Sequence, residues 1–176
     1  MPDPASAQSD VALPPEVEGV FREFRTCELS TLARDGTPIT WPTLPFWQPA
    51  DGRFLITTSI GLAQKALNIR RTPRVSLLFS DPTACGLMRP PAVLVQGEAV
   101  APDEVQTSVR DSEALLRQVF SRQPAGRAYS GNPFSRWLFD WYYMRLLIWI
   151  TPLRITWWPG GDFKAEPRRL EWPDVA

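Results

Sequence analysis

Three hydroxyl side chains followed by a lysine form the part of the sequence best suited to bind an anion. Thr57, Thr58 and Ser59 precede a segment of helical composition, and Lys65 lies one turn inside it. A helix N-terminus offers unpaired backbone N–H groups, so hydroxyls and a cation beside it suit a phosphate. Asn68 lies three residues after Lys65 and shares its helix face. These five residues predict a phosphate site.

The same residues also have an ordinary structural interpretation. Serine and threonine before a helix are common caps, and a lysine on a short helix is usually a solvated surface charge. The chain has 17 arginines but only two lysines, Lys65 and Lys164, which favours a specific role for Lys65. As a surface residue, Lys65 should be removable with little effect on folding.

A strand, a turn, a helix and a second strand are predicted to position this site. Residues 54–57 are strand formers, residues 62–71 are good helix formers, and residues 74–80 return as a strand. Pro73 prevents the helix from continuing. Arg70, Arg71 and Arg74 lie near the helix C-terminus, where they either meet the anionic tail of a ligand or complement the helix dipole as solvated charges.

Two predicted strands precede this unit and one follows it. Residues 27–34 alternate apolar and polar side chains, and residues 37–48 return after an Asp-Gly turn. The returning strand contains prolines, which cannot donate to a ladder, so we expect an edge strand, a bulged strand or a strand that faces a ligand. Residues 92–100 form the later strand, and Gly97 inside it indicates a bulge or a close backbone approach.

The remaining segments add helices and a last pair of strands. Val17, Val20, Phe21 and Phe24 have helical spacing and predict an amphipathic helix behind two prolines. The other predicted elements, in chain order, are a helix at 102–123, a loop at 124–133, a short helix at 134–142, and strands at 144–151 and 153–158 around Pro152.

These elements predict a mainly β fold, an antiparallel barrel of about six strands with flanking helices. With 176 residues, the chain suits one domain, which we place at 14–160 between a disordered tail at 1–13 and a C-terminal tail at 161–176. The N-terminus lacks the pattern of a secretory signal, and charges and a proline interrupt the aromatic run at 137–158. We expect a cytoplasmic protein without a membrane span.

Composition excludes several kinds of chemistry. The sequence has no histidine, which removes Ser-His-Asp and Cys-His schemes and the usual catalytic zinc sites. Cys27 and Cys85 follow no CxxC spacing, and neither GxGxxG nor GxxxxGK[ST] occurs. The formal net charge is zero, which gives no footprint for nucleic acid. A cofactor that carries its own reactivity fits these absences.

In this order of elements, the chain resembles the pyridoxamine 5'-phosphate oxidase-like split-barrel superfamily and its deazaflavin-dependent relatives. The resemblance covers residues 27–158, with 101–145 matching only loosely. The blocks that carry it are LSTLARDGTPITWPTLPFW, FLITTS, KALNIRRTPRVSLLFSD, VLVQGEAV and ITPLRITWW.

The resemblance implies a homodimer with two equivalent interface sites for FMN or the deazaflavin coenzyme F-420. It assigns the phosphate to Thr57, Thr58, Ser59 and Lys65, in agreement with the prediction from the residues alone. It also implies a strand along the flavin-type ring, formed by Pro42, Thr43 and Leu44, and weaker contributions to a site in the partner subunit from Gln96, Trp157 and Trp158. Trp41 and Trp47 stay unassigned as core or interface aromatics, and we expect the eight tryptophans to form much of an apolar dimer interface.

The function implied is an oxidoreductase that transfers a hydride to a small organic acceptor, with no side chain identified as catalytic. One alternative is a carrier that binds FMN, F-420 or haem without turnover, and another is an interaction module with an aromatic surface. A pyridoxamine 5'-phosphate oxidase-type activity is a further alternative. The chain departs from those oxidases because it has neither their histidines nor a matching C-terminal dimerisation segment.

Overall fold

The computed structural model describes residues 12–106 and 145–172. Most of the tail predicted at 1–13 and the segments predicted for 107–144 therefore lie outside the described residues. Within them, α1 spans Pro15–Glu23, and α2 spans Gln64–Arg71 after a 3₁₀ turn at Ile60–Leu62. The predicted amphipathic helix is confirmed, because Val17, Val20 and Phe21 of α1 are buried. No helix in the described part of the chain is both long and apolar enough to cross a membrane.

The strands form a single sheet in the described ranges, and every pairing in it is antiparallel. Their bounds are β1 Cys27–Leu32, β2 Pro38–Thr43, β3 Phe46–Gln48, β4 Arg53–Ser59, β5 Arg74–Phe79, β6 Ala92–Val100, β7 Val105–Gln106, β8 Arg145–Trp158 and β9 Arg168–Glu171. The sheet runs β2-β1-β5-β6-β8-β4-β3, while β7 and β9 add to β8.

The two outermost strands of this path are consecutive in the chain. Only Leu44 and Pro45 separate β2 from β3, although these strands lie at opposite edges of the sheet. Three Cα–Cα steps span at most about 11 Å, so the sheet must curl until its edges meet. The result is an antiparallel barrel with an unbonded seam, which confirms the predicted split-barrel fold.

The seam also shows how the prolines act. Pro38 and Pro42 lie in β2, which is an edge strand of the sheet, so the edge alternative for these prolines is confirmed. The prediction of one continuous strand over 37–48 was wrong, because Pro45 falls between two strands that belong to different edges.

Aromatic rings fill the interior of the barrel. Phe21 of α1 lies 4.7 Å from Phe54 and 5.1 Å from Trp47 between ring centroids, and Trp47 in turn contacts Trp172 at 5.9 Å. Trp47, Trp157 and Trp172 are all at most 6% exposed. These three tryptophans pack inside their own chain, which corrects the expectation that they form a dimer interface.

Two further predictions need correction at the ends of the described ranges. The helix predicted from residue 102 is wrong for Val105–Gln106, which forms β7 against Leu146 and Arg145. The tail predicted at 161–176 includes β9, which pairs with β8, and the buried Trp172 follows this strand. Strand pairing with β8 and the burial of Trp172 therefore attach residues 168–172 to the barrel.

Strand β8 is the longest element among the described residues, and its pairing with β6 contains a bulge. The two strands predicted around Pro152 form one strand of 14 residues, and the register with β6 shifts between Gln96 and Gly97. A Cβ atom at Gly97 would lie 2.3 Å from the backbone oxygen of Thr151. Both interpretations of Gly97 are thus confirmed, since it lies at a bulge where two backbones approach closely, opposite Leu153 of β8, which has no partner in β6.

We expect Gly97→Ala to lower stability strongly, because the clash is with backbone that cannot rotate away. A loss of about 3 kcal/mol or more corresponds to a fall in melting temperature of roughly 10 °C for a chain of this size. The matched control is Gly19→Ala in α1, where the new Cβ meets only the Leu87 Cδ1 atom at 3.9 Å. That variant should melt at the same temperature or higher, and equal melting of the two variants would contradict the role of the bulge.

Candidate functional site

The site is built where the end of β4 meets α2. Lys65 Nζ donates a hydrogen bond of 3.0 Å to Thr58 Oγ1, and Thr58 Oγ1 donates one of 2.9 Å to the Leu62 carbonyl. Ser59 caps the intervening 3₁₀ turn, with its Oγ accepting from the Gly61 N–H at 3.3 Å. The turn fixes the direction in which α2 starts, and it places Lys65 beside the strand.

Lys65 is a buried residue. Its side chain is only 7% exposed, so the expectation of a surface lysine was wrong. Burial lowers the pKa of Lys65, and the nearby positive charge of Arg145 lowers it further. Among the described residues, no ion pair includes Lys65. A buried ammonium next to a second cation is an unfavourable arrangement that an anion would relieve.

Arg145 is the residue that sequence reasoning missed. It begins β8 directly opposite Ser59 of β4, which brings a guanidinium to the hydroxyl cluster. Arg145 was assigned no role because it follows Lys65 by 80 positions in sequence and only the β4–β8 register brings the two together. The predicted strand at 144–151 was a signal, but it carried no information about register.

Trp41 forms another side of the site. Lys65 Nζ lies 5.2 Å from the centroid of the Trp41 ring, close enough for a cation–π contact. The Trp41 Nε1 is buried and has no acceptor among the described residues. Because Trp41 belongs to β2 and Thr58 to β4, Lys65 contacts both sides of the unbonded seam.

The other two hydroxyls occupy different positions. Ser59 is buried, and its Oγ accepts a hydrogen bond from the 3₁₀ turn. Thr57 is half-buried and lies on the opposite face of β4 from Thr58. Side chains alternate along a strand, so Thr57 shares the outer face with Ser59, and with Leu147 and Arg145 across on β8. The structure therefore brings Thr58, Ser59, Lys65 and Arg145 to one corner, with Thr57 along its outer side.

Asn68 has its amide engaged within the protein. It is fully buried, its Nδ2 donates to Thr31 Oγ1 at 3.0 Å, and its Oδ1 accepts from Gln64 Nε2 and Arg71 Nη2. These bonds attach α2 to β1. The structure thus gives Asn68 a positioning role, and its predicted contact with a cofactor stays a prediction.

The segment predicted to lie along a cofactor ring is at the seam. Pro42 is exposed and Leu44 half-buried, whereas Thr43 is buried with its Oγ1 donating to the Cys27 carbonyl at 3.3 Å. Only Pro42 and Leu44 therefore present side chains outward. Cys27 is not suited to nucleophilic chemistry, because burial raises the pKa of its thiol to about 12.

Gln96, Trp157 and Trp158 lie in parts of β6 and β8 that do not pair with β4. Gln96 is exposed on β6 at the bulge, opposite Ser76 and Arg154. Trp157 is buried in the core, and Trp158 is half-buried with its ring centroid 5.2 Å from that of Phe163. A role for Trp157 toward a partner's cofactor stays a prediction, and its burial argues against it.

The arginines near the end of α2 are largely occupied. Arg70 donates to the Ala101 and Pro102 carbonyls at 2.7 and 2.6 Å and pairs with Asp103, while Arg71 donates to Asn68. Arg74 is exposed at the start of β5. Arg70 therefore fixes the end of α2 to the end of β6, and of the three only Arg74 keeps the solvated position that a ligand tail needs.

Comparisons with known proteins agree with this fold. The family profile of pyridoxamine 5'-phosphate oxidase matches residues 13–135. A Clostridium acetobutylicum protein related to general stress protein 26 of B. subtilis (pyridoxinephosphate oxidase family) aligns with a TM-score of 0.55 and 9% identity, over 89% of this chain and 92% of its own. None of the curated proteins compared with the chain matches it significantly.

Two other solved structures differ in what their names say they bind. An F-420 reductase aligns with a TM-score of 0.54 and 19% identity, over 81% of this chain and 98% of its own. A haem-binding protein from Mycobacterium smegmatis aligns with a TM-score of 0.56 and 16% identity, over 92% of this chain and 60% of its own. At these identities, the likeness shows the fold alone.

We expect Lys65→Met to leave the melting temperature at pH 7 unchanged or to raise it. Because the folded-state pKa of Lys65 is below the usual 10.5, the unfolded chain binds more protons between the two values, and parent stability should rise with pH across that window. Methionine has a similar length without the charge, so this rise should be smaller in the variant. Denaturant unfolding from pH 7 to 10.5 measures it, and a Lys65→Met protein less stable than its parent at pH 7 would contradict an uncompensated cation.

Proposed function

Because the chain belongs to the pyridoxamine 5'-phosphate oxidase family, we propose that it is an oxidoreductase that uses FMN or coenzyme F-420 and transfers a hydride to a small organic acceptor. The observation that carries the proposal is the ammonium of Lys65. It is buried beside Arg145, and Lys65 pairs with no carboxylate in the described ranges. Both cofactors have a ribityl phosphate, an anion that would offset the buried charge of Lys65.

The donor set fits a phosphate group. Lys65 and Arg145 supply charge, Thr57 and Ser59 add hydroxyls on the outer face, and Trp41 supplies an unpaired indole N–H near Lys65. Charge-assisted hydrogen bonds of this kind are about twice as strong as neutral ones. Since the cations are already fixed by Thr58, the 3₁₀ turn and the β4–β8 register, little side-chain ordering remains to oppose binding.

The exposed ring of Pro42 and the half-buried Leu44 are the residues we propose to lie along the planar cofactor ring. They belong to the seam, where proline removes backbone donors that the ring could not satisfy. A bound flavin or deazaflavin supplies the hydride chemistry itself, so the chain needs to bind, orient and shield it without a side-chain acid or base.

We propose that the active form is a homodimer. Leu62 is 65% exposed and Leu67 43% exposed on the same turn-and-helix unit that holds Lys65, and Val100 is 64% exposed opposite the half-buried Trp149. Large apolar side chains around a binding site favour burial against a second protein surface. A partner subunit would cover both the cofactor ring and these residues.

The second candidate is a carrier that binds the same cofactors, or haem, without turnover. The haem-binding structural neighbour is the observation behind haem. The sequence has no histidine, and burial keeps the Cys27 thiol protonated, so the usual axial ligands are not offered by these residues. Haem binding is therefore an alternative to be tested by spectroscopy. Oxidation of pyridoxamine 5'-phosphate is a further activity to assay.

Titration of the purified protein with FMN and with F-420 tests the phosphate assignment. Lys65→Met should weaken binding of the preferred cofactor by about ten- to a hundredfold, because one charge-assisted contact of about 1.5–3 kcal/mol is lost. The matched control is Lys164→Met, which removes the only other lysine of the sequence from an exposed position. Equal affinity in the parent and both variants would remove the main support for this site.

Turnover separates the enzyme from the carrier. With the preferred cofactor in its reduced form, the parent should oxidise it in the presence of one or more unsaturated acceptors at a rate above the cofactor alone. Tight binding without any acceptor-dependent oxidation would favour the carrier, and a Soret band on titration with haem would favour the haem alternative.

Light scattering tests the dimer. The parent should have twice the monomer mass at micromolar concentration, whereas Leu62→Glu should be a monomer with an unchanged far-ultraviolet circular dichroism spectrum. The control is Met88→Glu, in the loop between β5 and β6, where Met88 is 94% exposed. This variant should stay dimeric. A monomeric parent would overturn this part of the proposal.

A further inference from the structure

A second cavity lies at the other end of the barrel from Lys65. Its volume is about 230 Å³, and the loop after β5 and the turn after β8 enclose it. Its lining includes Phe24, Ser80, Arg89, Gly160, Gly161 and Phe163. The charge of Arg145, at the start of β8, acts on Lys65, whereas this cavity follows Trp158 at the end of β8. Thirteen residue steps of a strand span roughly 40 Å, so the two sites are separate.

Arg89 has an unusual backbone conformation. Its φ angle is +48°, in the left-handed region that residues other than glycine rarely adopt. The next residue is Pro90, and a residue before proline normally prefers an extended conformation. Such strain persists only where the surrounding structure fixes it, and it is commonest at binding sites. The strained backbone directs the Arg89 side chain across the cavity toward the β8 turn.

Two glycines make room for this side chain. Gly160 and Gly161 both have positive φ angles, of 61° and 72°. A Cβ atom on Gly160 would lie 3.9 Å from Arg89 Nη2, and one on Gly161 would lie 3.5 Å from the Pro90 carbonyl oxygen. The guanidinium therefore lies directly over a stretch of backbone without side chains, with its other edge open to the cavity.

The remaining lining is mostly apolar. Phe24 forms an inner wall at 1% exposure, and Phe163 forms an outer wall at 58% exposure, held by its contact with Trp158. Ser80 Oγ donates to Glu28 at 3.4 Å. Arg89 has no hydrogen bond or ion pair with any residue in the described ranges, and the acid of the adjoining cavity, Glu16, is paired with Arg168.

We propose that this cavity binds a small aromatic carboxylate, with its carboxylate on Arg89 and its ring between Phe24 and Phe163. A planar guanidinium is the preferred bidentate partner of a carboxylate. An apolar cavity of roughly 150 Å³ already accommodates benzene, so 230 Å³ has room for one ring and its carboxylate. The cavity is independent of the cofactor site, and its occupant is a small organic acid.

Benzoate is the probe, detected through the backbone amide NMR signals of Gly160 and Gly161 and the fluorescence of Trp158. Benzoate should shift both amide signals with a Kd below about 10 mM. Arg89→Gln should weaken binding at least about tenfold, because the charge-assisted pair is lost. Benzyl alcohol, which has the ring without the charge, should bind the parent at least tenfold more weakly than benzoate.

Arg89→Gly separates binding from folding. Glycine accepts a φ of +48° without strain, so this variant should melt no lower than the parent, yet it should lose benzoate binding. Ala84→Gly is the matched control, since Ala84 is the other non-glycine residue with positive φ in the described part of the chain, at 58°, and it does not line the cavity. That control should bind benzoate as the parent does.

Three results would overturn the proposal. They are the absence of any benzoate-dependent shift at Gly160 and Gly161, equal benzoate affinity in the parent and Arg89→Gln, and equal affinity of the parent for benzoate and benzyl alcohol. FMN or F-420 titration of Arg89→Gln should match the parent, so the outcome at this cavity is distinguishable from the outcome at Lys65.

Discussion

The two-residue link between β2 and β3 is the constraint on which the rest of the architecture depends. These strands are the outer edges of the sheet path, so a link of Leu44 and Pro45 requires the whole sheet to close on itself. Closure creates the interior that the rings of Phe21, Phe54 and Trp47 fill. Because proline cannot donate to a ladder, the same link also keeps the edges from bonding. The barrel is thus held together by its core and stays open along one line.

The candidate site follows from that opening. Lys65 contacts Trp41 on one side of the seam and Thr58 on the other, and the edges there lack the ladder that would otherwise fill the space. Helix α2 can deliver the lysine only because Asn68 attaches it to β1 and Arg70 attaches it to the end of β6. The hydrogen bonds of Asn68 and Arg70 therefore position the Lys65 ammonium, which pairs with none of the described carboxylates.

The sequence predicted the elements that depend on local patterns. It did not predict features that depend on the pairing of strands distant in sequence. Helix α1, the proline-rich edge, the bulge at Gly97 and the strand-turn-helix unit around Lys65 all follow from spacing, proline chemistry and capping. The burial of Lys65 and the proximity of Arg145 depend on the β4–β8 register, which no local pattern encodes. Likewise β9 is a short strand without a periodic signal, and it exists because β8 extends beyond β4 and leaves an edge to pair with.

The bulge opposite Gly97 shows how strand register determines which side chains are buried. Before Pro152, the buried residues of β8 are the even-numbered Leu146, Ile148 and Ile150, whereas after it Ile155 and Trp157 face the core. The register shift between Gln96 and Gly97 changes which alternate positions point inward. Trp157 therefore stabilises the barrel core, while Trp158 contacts Phe163 at the second cavity.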